Sequence, residues 1–281
     1  MDPVSNVLKK AGIERVYGVT GIPITDWLKS KLQAEAGISY YGLRNETSAA
    51  YAASVDGFLS CNYHDTPRED DGSSKFNALK WAFLNHLHFT ILIVGVVPGV
   101  CITVAGPGMI HALPGVANAA VNHWPMLLIS AGVKSALVGK GAFQEAPLVK
   151  IAAAIPCKFA VRIEADDLAR TLVPSLERAI SLACTPPMGP CFIEIAAEYF
   201  DAGGVGWTLP SLESNYIVTS NHLYNNNNGD VCVLDNVRTL LHAAKAPLIV
   251  FGTMAVGVKD STTRAMNIVQ YLEVVNFTQQ V

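Results

Sequence analysis

The residue best placed to do chemistry in this 281-residue chain is Glu46, in the run Tyr41-Gly42-Leu43-Arg44-Asn45-Glu46-Thr47-Ser48-Ala49-Ala50. A short apolar strand precedes it and an alanine-rich helix follows. A carboxylate at such a junction, set against alanine rather than water, can share a proton with a bound group at neutral pH. The same residue can also do no more than favour the helix N-terminus through the macrodipole. Spacing alone leaves both roles open. Three other segments carry groups of interest. Gly21-Ile22-Pro23 is a turn, Gly106-Pro107-Gly108 is another, and Phe143-Gln144 stands at what reads as the start of a helix. A glutamine there can donate to a developing oxyanion or simply face solvent. Gly106-Pro107-Gly108 is not a dinucleotide fingerprint, because His111 stands where GxGxxG needs its third glycine.

The elements that must position these groups follow from hydrophobic periodicity. Strands are predicted over Val16–Val19, Ile38–Tyr41, Val100–Ala105, Pro125–Ser130, Lys158–Ile163 and Cys191–Ile195. Helices are predicted over Val4–Ala11, Ile24–Ala36, Glu46–Leu59, Met109–Asn122, Gln144–Ile155 and Asp166–Cys184. In the third of these, Tyr51, Val55, Phe58 and Leu59 share one face. Alternation of this kind predicts an α/β fold, a doubly wound parallel sheet with helices on both faces. Ligands then bind beyond the carboxyl ends of the strands, where Glu46, Thr20 to Pro23, Gly106 to Gly108 and Phe143-Gln144 all fall.

Composition narrows the class. The chain is 51% hydrophobic and 15% charged, with a net charge of −3. A sizeable core is expected, and nucleic acid is not an expected partner, because phosphate binding needs concentrated Lys and Arg. The six cysteines lack CxxC or Cys/His metal spacing and several lie in apolar strands, so buried reduced thiols and an intracellular setting are expected. Residues 61–96 break the α/β rhythm: a polar stretch is followed by an apolar run, Ala82 to Val97, that is shorter than the ~20 residues a bilayer requires. Residues 201–230 read as a linker. Residues 231–281 open a second α/β unit, with helices over Leu234–Lys245 and Thr262–Leu272 around a strand at Pro247–Phe251, and contain too few elements to close a core.

Five of these segments stand in the order and spacing of one family. They are Gly18-Val19-Thr20-Gly21-Ile22-Pro23, Arg44-Asn45-Glu46, Gly106-Pro107-Gly108-Met109-Ile110-His111-Ala112-Leu113, Ala117-Asn118-Ala119 and Gly141-Ala142-Phe143-Gln144-Glu145. The chain resembles thiamine diphosphate-dependent 2-hydroxyacyl-CoA lyase, with oxalyl-CoA decarboxylase a near relative, over residues 4–60 and 97–200 and weakly over 230–272. The resemblance implies a pyrimidine-binding domain at 1–200, interrupted by an insert at 61–96 without a family counterpart, followed by the start of a central domain. The insert is read as a retained intron or a gene-model artefact. The family's third domain, whose GDG…N segment holds Mg2+ and the diphosphate, is not among these residues, so no metal ligand is expected here.

The resemblance also implies roles. Glu46 would bond a pyrimidine ring nitrogen and favour the imino tautomer, whose neighbouring nitrogen takes the thiazolium proton. Gly21, Ile22 and Pro23 would lie beside that ring. Phe143 and Gln144 would line the substrate side, with Gln144 and Glu46 the catalytic pair. Asn118 would face the cofactor or cap local backbone. His111 is more simply a helix-surface or core histidine. The implied reaction is carbon–carbon cleavage of a 2-hydroxyacyl-CoA to a shortened aldehyde and formyl-CoA, as in fatty acid α-oxidation. The enzyme would be a peroxisomal homodimer or homotetramer acting on a CoA thioester away from any membrane. A non-catalytic pyrimidine-domain product, or an oxalyl-CoA decarboxylase-like enzyme, is the alternative. Thr47 departs from the family, which usually carries Gln after the glutamate, and Val133 to Lys140 lacks the family's polar, charged character.

Overall fold

The computed structural model describes residues 1–63 and 96–201, with the single residue Ala243. The expected insert, linker and second α/β unit, with its two helices and strand, lie outside the described residues except for the edges 61–63, 96 and 201 and for Ala243.

Six parallel strands form one sheet in the order β2-β1-β3-β4-β6-β5. They are β1 (Arg15–Gly18), β2 (Ser39–Gly42), β3 (Gly99–Thr103), β4 (Met126–Ala131), β5 (Phe159–Ile163) and β6 (Pro190–Ile195). Every residue of β3, β4 and β6 is buried, whereas the edge strands β2 and β5 are largely not. That pattern is why the inner strands read as continuous apolar runs. Side chains alternate between two cores. Val100 and Ile102 join Leu127, Ile129, Ile193 and Ile195 on one face, while Cys101 joins Met126, Leu128 and Phe192 on the other.

The first face is covered by α1 (Pro3–Lys10), α2 (Ile24–Trp27) with the π-helical turn Leu28–Glu35, α6 (Leu168–Cys184) and α7 (Ala197–Asp201); these supply Leu8, Trp27, Leu32, Leu176 and Tyr199 to that core. The second face is covered by α3 (Glu46–Tyr63), α4 (Pro107–Asn122) and α5 (Leu148–Ala154). Asp2 caps α1 by accepting from Ser5 N at 3.0 Å, and Tyr199 Oη donates to the same carboxylate while accepting from Val4 N at 3.3 Å. The helix Ala197–Asp201 is thereby tied to the first.

Three expectations need correction. The helix expected from Gln144 begins at Leu148. Pro147 excludes the α conformation from the residue before it, so the helix cannot extend upstream. The helix expected from Asp166 starts at Leu168, after a 3-10 turn over Ala165–Asp167. Residues Leu28–Glu35, expected as regular α-helix, widen to π geometry, with Ala36 N donating to Lys31 O at 3.1 Å. The apolar spacing survives: Ile24, Trp27, Leu28 and Leu32 are buried.

On α3 three of the four residues of the expected apolar face turn outward, while Phe58 is half-buried and stacks on Trp124 with ring centroids 4.8 Å apart. Tyr51, Val55 and Leu59 are exposed, while Ala49, Ala50, Ala53 and Ser54 are buried. Close approach is the reason. A Cβ on Gly57 would lie 1.9 Å from Pro125 O, and one on Gly115 of α4 would lie 2.5 Å from Ala50 Cβ. Only a small-residue face allows α3 so near both β3 and α4.

Candidate functional site

The chain reverses direction across the sheet at β1, which pairs with β2 on one side and β3 on the other. A crevice therefore opens beyond the carboxyl ends of β1 and β3, the place where parallel sheets hold ligands. Three segments meet there: the turn after β1 with Gly21, Ile22 and Pro23, the start of α3, and the turn after β3 with Gly106 and Gly108.

Glu46 is the first residue of α3. Asn45 caps it, its Oδ1 accepting from Thr47 N at 2.8 Å. The Glu46 side chain is only 13% exposed. Gly108 faces it: a Cβ at that position would stand 3.6 Å from Glu46 Oε1 and 2.6 Å from Val104 Cγ2. A Cβ on Gly21 would meet the other Val104 methyl at 2.7 Å. Val104 is thus the spacer on which both glycine turns pack. The motifs did not single it out, although its place between a buried strand and Gly106 was visible.

Thr47, the departure from the family pattern, has a structural task. Its hydroxyl donates to His111 O at 2.6 Å and so joins the first turns of α3 and α4. His111 Nδ1 lies 3.4 Å from Glu46 Oε2, and its ring is 60% exposed. A histidine read as a helix-surface or core residue is therefore also a neighbour of the carboxylate.

Tyr40 is a second group that sequence reasoning missed. Its hydroxyl is buried without a hydrogen-bond partner among the described residues, and lies 3.1 Å from where a Gly18 Cβ would be. Its ionisation is pushed up to about 12, first by burial and then by nearby Cys101 and Glu46. The signal available was its place on the strand leading to Glu46. Glu46→Gln removes the carboxylate's negative charge, so Tyr40 is expected to titrate at lower pH. Tyrosine 13Cζ resonances followed through alkaline pH, assigned with Tyr40→Phe, provide the check; an unchanged titration would separate the two groups.

The remaining sequence-derived residues are placed as follows. Gln144 sits in a turn at φ 136°, and a Cβ on Gly106 would lie 2.5 Å from Gln144 O, so this loop rests against the turn after β3. Phe143 is 93% exposed and Ile22 88% exposed. Asn118 is not brought to the Glu46 group. Its Nδ2 lies 3.4 Å from Ser54 Oγ, about two turns along α3 from Glu46, and its backbone and side-chain oxygens accept from Asn122 Nδ2 at 2.9 and 3.1 Å.

Burial retires three of the described thiols, pushing Cys157 up to about 11, Cys191 to about 12 and Cys101 further still. No group of three or more His, Cys, Asp or Glu residues among the described residues is placed to hold a metal ion, and none of the described helices is long and apolar enough to cross a membrane.

The α/β parallel-sheet fold agrees with what sequence comparison finds. Residues 1–60 and 93–152 match the family described as "Thiamine pyrophosphate enzyme, N-terminal TPP binding domain". The chain is 34% identical over 195 residues to 2-hydroxyacyl-CoA lyase 1 of Dictyostelium discoideum, covering 69% of this chain and 27% of that protein. It is 32% identical over 197 residues to 2-hydroxyacyl-CoA lyase 1 of Mus musculus, covering 70% and 27%. Oxalyl-CoA decarboxylase of Escherichia coli (strain K12) is 32% identical over 205 residues, covering 72% and 29%. Over this part of its length the chain is homologous to the 2-hydroxyacyl-CoA lyase and oxalyl-CoA decarboxylase family. It spans little more than a quarter of the length of these relatives.

Proposed function

We propose that this chain supplies the pyrimidine half of a thiamine diphosphate site in an enzyme that cleaves a 2-hydroxyacyl-CoA to a shortened aldehyde and formyl-CoA. The observation that carries the reading is the largely buried Glu46 carboxylate, set at the β1/β3 switch point with Gly108 facing Oε1 and His111 Nδ1 3.4 Å from Oε2. The residues fit the ring end of the cofactor: Glu46 offers a largely buried acceptor with Gly108 facing one oxygen, and Tyr40 adds a buried hydroxyl. The diphosphate and Mg2+ would be held by residues other than those described. When bound, thiamine diphosphate supplies the electron sink for carbon–carbon cleavage.

The chain's own residues divide the remaining work. Glu46 holds a proton at the ring nitrogen. Gly21, Ile22 and Pro23 flank the ring, and Asn118 belongs to the surrounding α4 surface. Gln144 donates to negative charge developing on the substrate, and Phe143 offers an apolar surface to it. The outward apolar stripe of α3 (Tyr51, Val55, Leu59) suits the subunit contact that would complete the site.

The test is formyl-CoA release from a 2-hydroxyacyl-CoA, with thiamine diphosphate and Mg2+, by the protein isolated with whatever subunits accompany it. Glu46→Gln should lower turnover by roughly 100-fold or more while circular dichroism stays unchanged. Equal activity in that variant would remove Glu46 from the chemistry. Oxalyl-CoA decarboxylation is the second reading, favoured by the comparable identity to that relative; carbon dioxide release from oxalyl-CoA separates the two. A chain that supplies only half a site is also expected to give no saturable heat with thiamine diphosphate and Mg2+ when titrated alone. Such heat would overturn that part of the reading and set aside a non-catalytic product.

A further inference from the structure

We propose that Glu145 is the positioning residue of the 139–145 loop: its carboxylate gathers the Gly139 and Gly141 amides and so holds Gln144 and Phe143 at the mouth of the crevice. Beyond that carboxylate the loop has, among the described residues, only short-range turn bonds of its own, such as Lys140 N to Leu137 O and Glu145 N to Ala142 O, each at 3.1 Å, and its packing on Gly106. Phe143 is 93% exposed and contributes no buried anchor. Pro147 bars the helix from reaching back into the segment. Gln144 adopts a φ of 136°, which an L-residue keeps only where its surroundings over-determine it.

The Glu145 carboxylate supplies that determination. Gly139 N–H donates to Glu145 Oε1, and Gly141 N–H donates to Oε2 at 3.0 Å. Both glycines are left-handed, at φ 78° and 70°, and this turns their amides inward into an anion nest. The anion that fills the nest is the loop's own side chain. The Gly139 amide, with smaller contributions from Gly141, Ala142 and Lys140, holds that carboxyl below the usual range, so it is charged at neutral pH. The far side of the loop seats Gln144 O against Gly106, where even a methyl group would collide. One carboxylate thus sets the distance between Gln144 and the turn beside Glu46. The inference rests on the functional reading only in what Gln144 and Phe143 do once held; the holding itself belongs to this chain.

The experiment is amide hydrogen exchange on the 281-residue chain, with chymotryptic cleavage after Phe143 as a second readout. Glu145→Ala should speed exchange at Gly139 and Gly141, and cleavage after Phe143, by roughly tenfold or more, since each lost bond was to a charged acceptor. Exchange in β3 and β4 should not change. Glu145→Gln keeps the volume and one acceptor oxygen, and should fall between alanine and wild type. Exchange in Glu145→Ala within roughly twofold of wild type would overturn the proposal. So would a Glu145→Gln chain indistinguishable from wild type, because the side chain would then act by packing alone. If Glu145→Ala exposes the β3 amides, the glutamine comparison still decides. No cofactor is involved, so failure here is distinct from failure of the Glu46 reading.

Discussion

Replacing Arg162 by methionine is expected to destabilise the described domain at neutral pH by about 3–5 kcal/mol, the cost of leaving a buried charge without its partner. Arg162 on β5 donates through Nη1 to Glu194 on β6, through Nε to Glu164 at 2.7 Å, and through Nη2 to Val133 O at 2.8 Å. Glu194 is 4% exposed. Its burial outweighs the attraction of Arg162, so its carboxyl holds a proton more tightly in the folded than in the unfolded chain. The sign follows from proton linkage. Glu194 opposes folding least below its unfolded pKa, and stability is lost as pH rises through its raised folded value. Glu164 acts oppositely. Against the effect of burial, Arg162 and Ser135 hold it low, so its contribution is present above the unfolded pKa and is lost in acid.

Without Arg162 the Glu194 effect deepens and the Glu164 effect fades. The loss should therefore be large at pH 7 and clearly smaller near pH 4, where Glu194 protonates. Urea denaturation of both proteins at the two pH values checks this. A loss under about 1 kcal/mol at pH 7 would mean that water reaches Glu194 and replaces the guanidinium.

Gly99→Ala should be comparably damaging, by about 3 kcal/mol, or roughly 6–12 °C in Tm. Gly99 opens β3 beneath α3, and a Cβ there would stand 1.7 Å from Ala53 O and 2.8 Å from Gly57 N. Both obstacles are backbone, so neither can swing away. The helix would have to leave the sheet, carrying Asn45 and Glu46 with it, and the Thr47 bond to His111 O would be pulled open. Gly189→Ala is the control: its Cβ would meet only flexible Lys158 side-chain carbons, at 3.3 and 3.4 Å. Thermal unfolding of the two variants should differ by most of the Gly99 effect. Equal curves would show that α3 yields cheaply.

Much of the positioning frame was legible in the sequence, for a physical reason. Strand burial and helix amphipathicity are local, period-2 and period-3.6 signals, and β3, β4 and β6 carry them without interruption. Asn45 before Glu46 is likewise a local cap. The misreadings arise where a distant backbone decides. The apolar spacing of Tyr51, Val55 and Leu59 marks a face of α3 but not which way it points, because the approach of Pro125, Gly99 and Ala50 demands the small face instead. Gln144 looked like a helix start because the Glu145 carboxylate closing on Gly139 and Gly141 leaves no periodic mark.

By itself, then, the sequence determined the α/β class, the strand and helix succession on residues 1–63 and 96–201, and Glu46 at a strand–helix junction, since these depend on neighbours a few residues apart. Tertiary structure alone decided that β3 lies beside β1, so that Glu46 faces Gly108 across a crevice. It also decided that Tyr40 keeps a buried hydroxyl, unpaired among the described residues, near that carboxylate, and that Arg162 neutralises Glu194 from the next strand. Each of these requires parts of the chain dozens of residues apart to meet, and no local period encodes such a meeting.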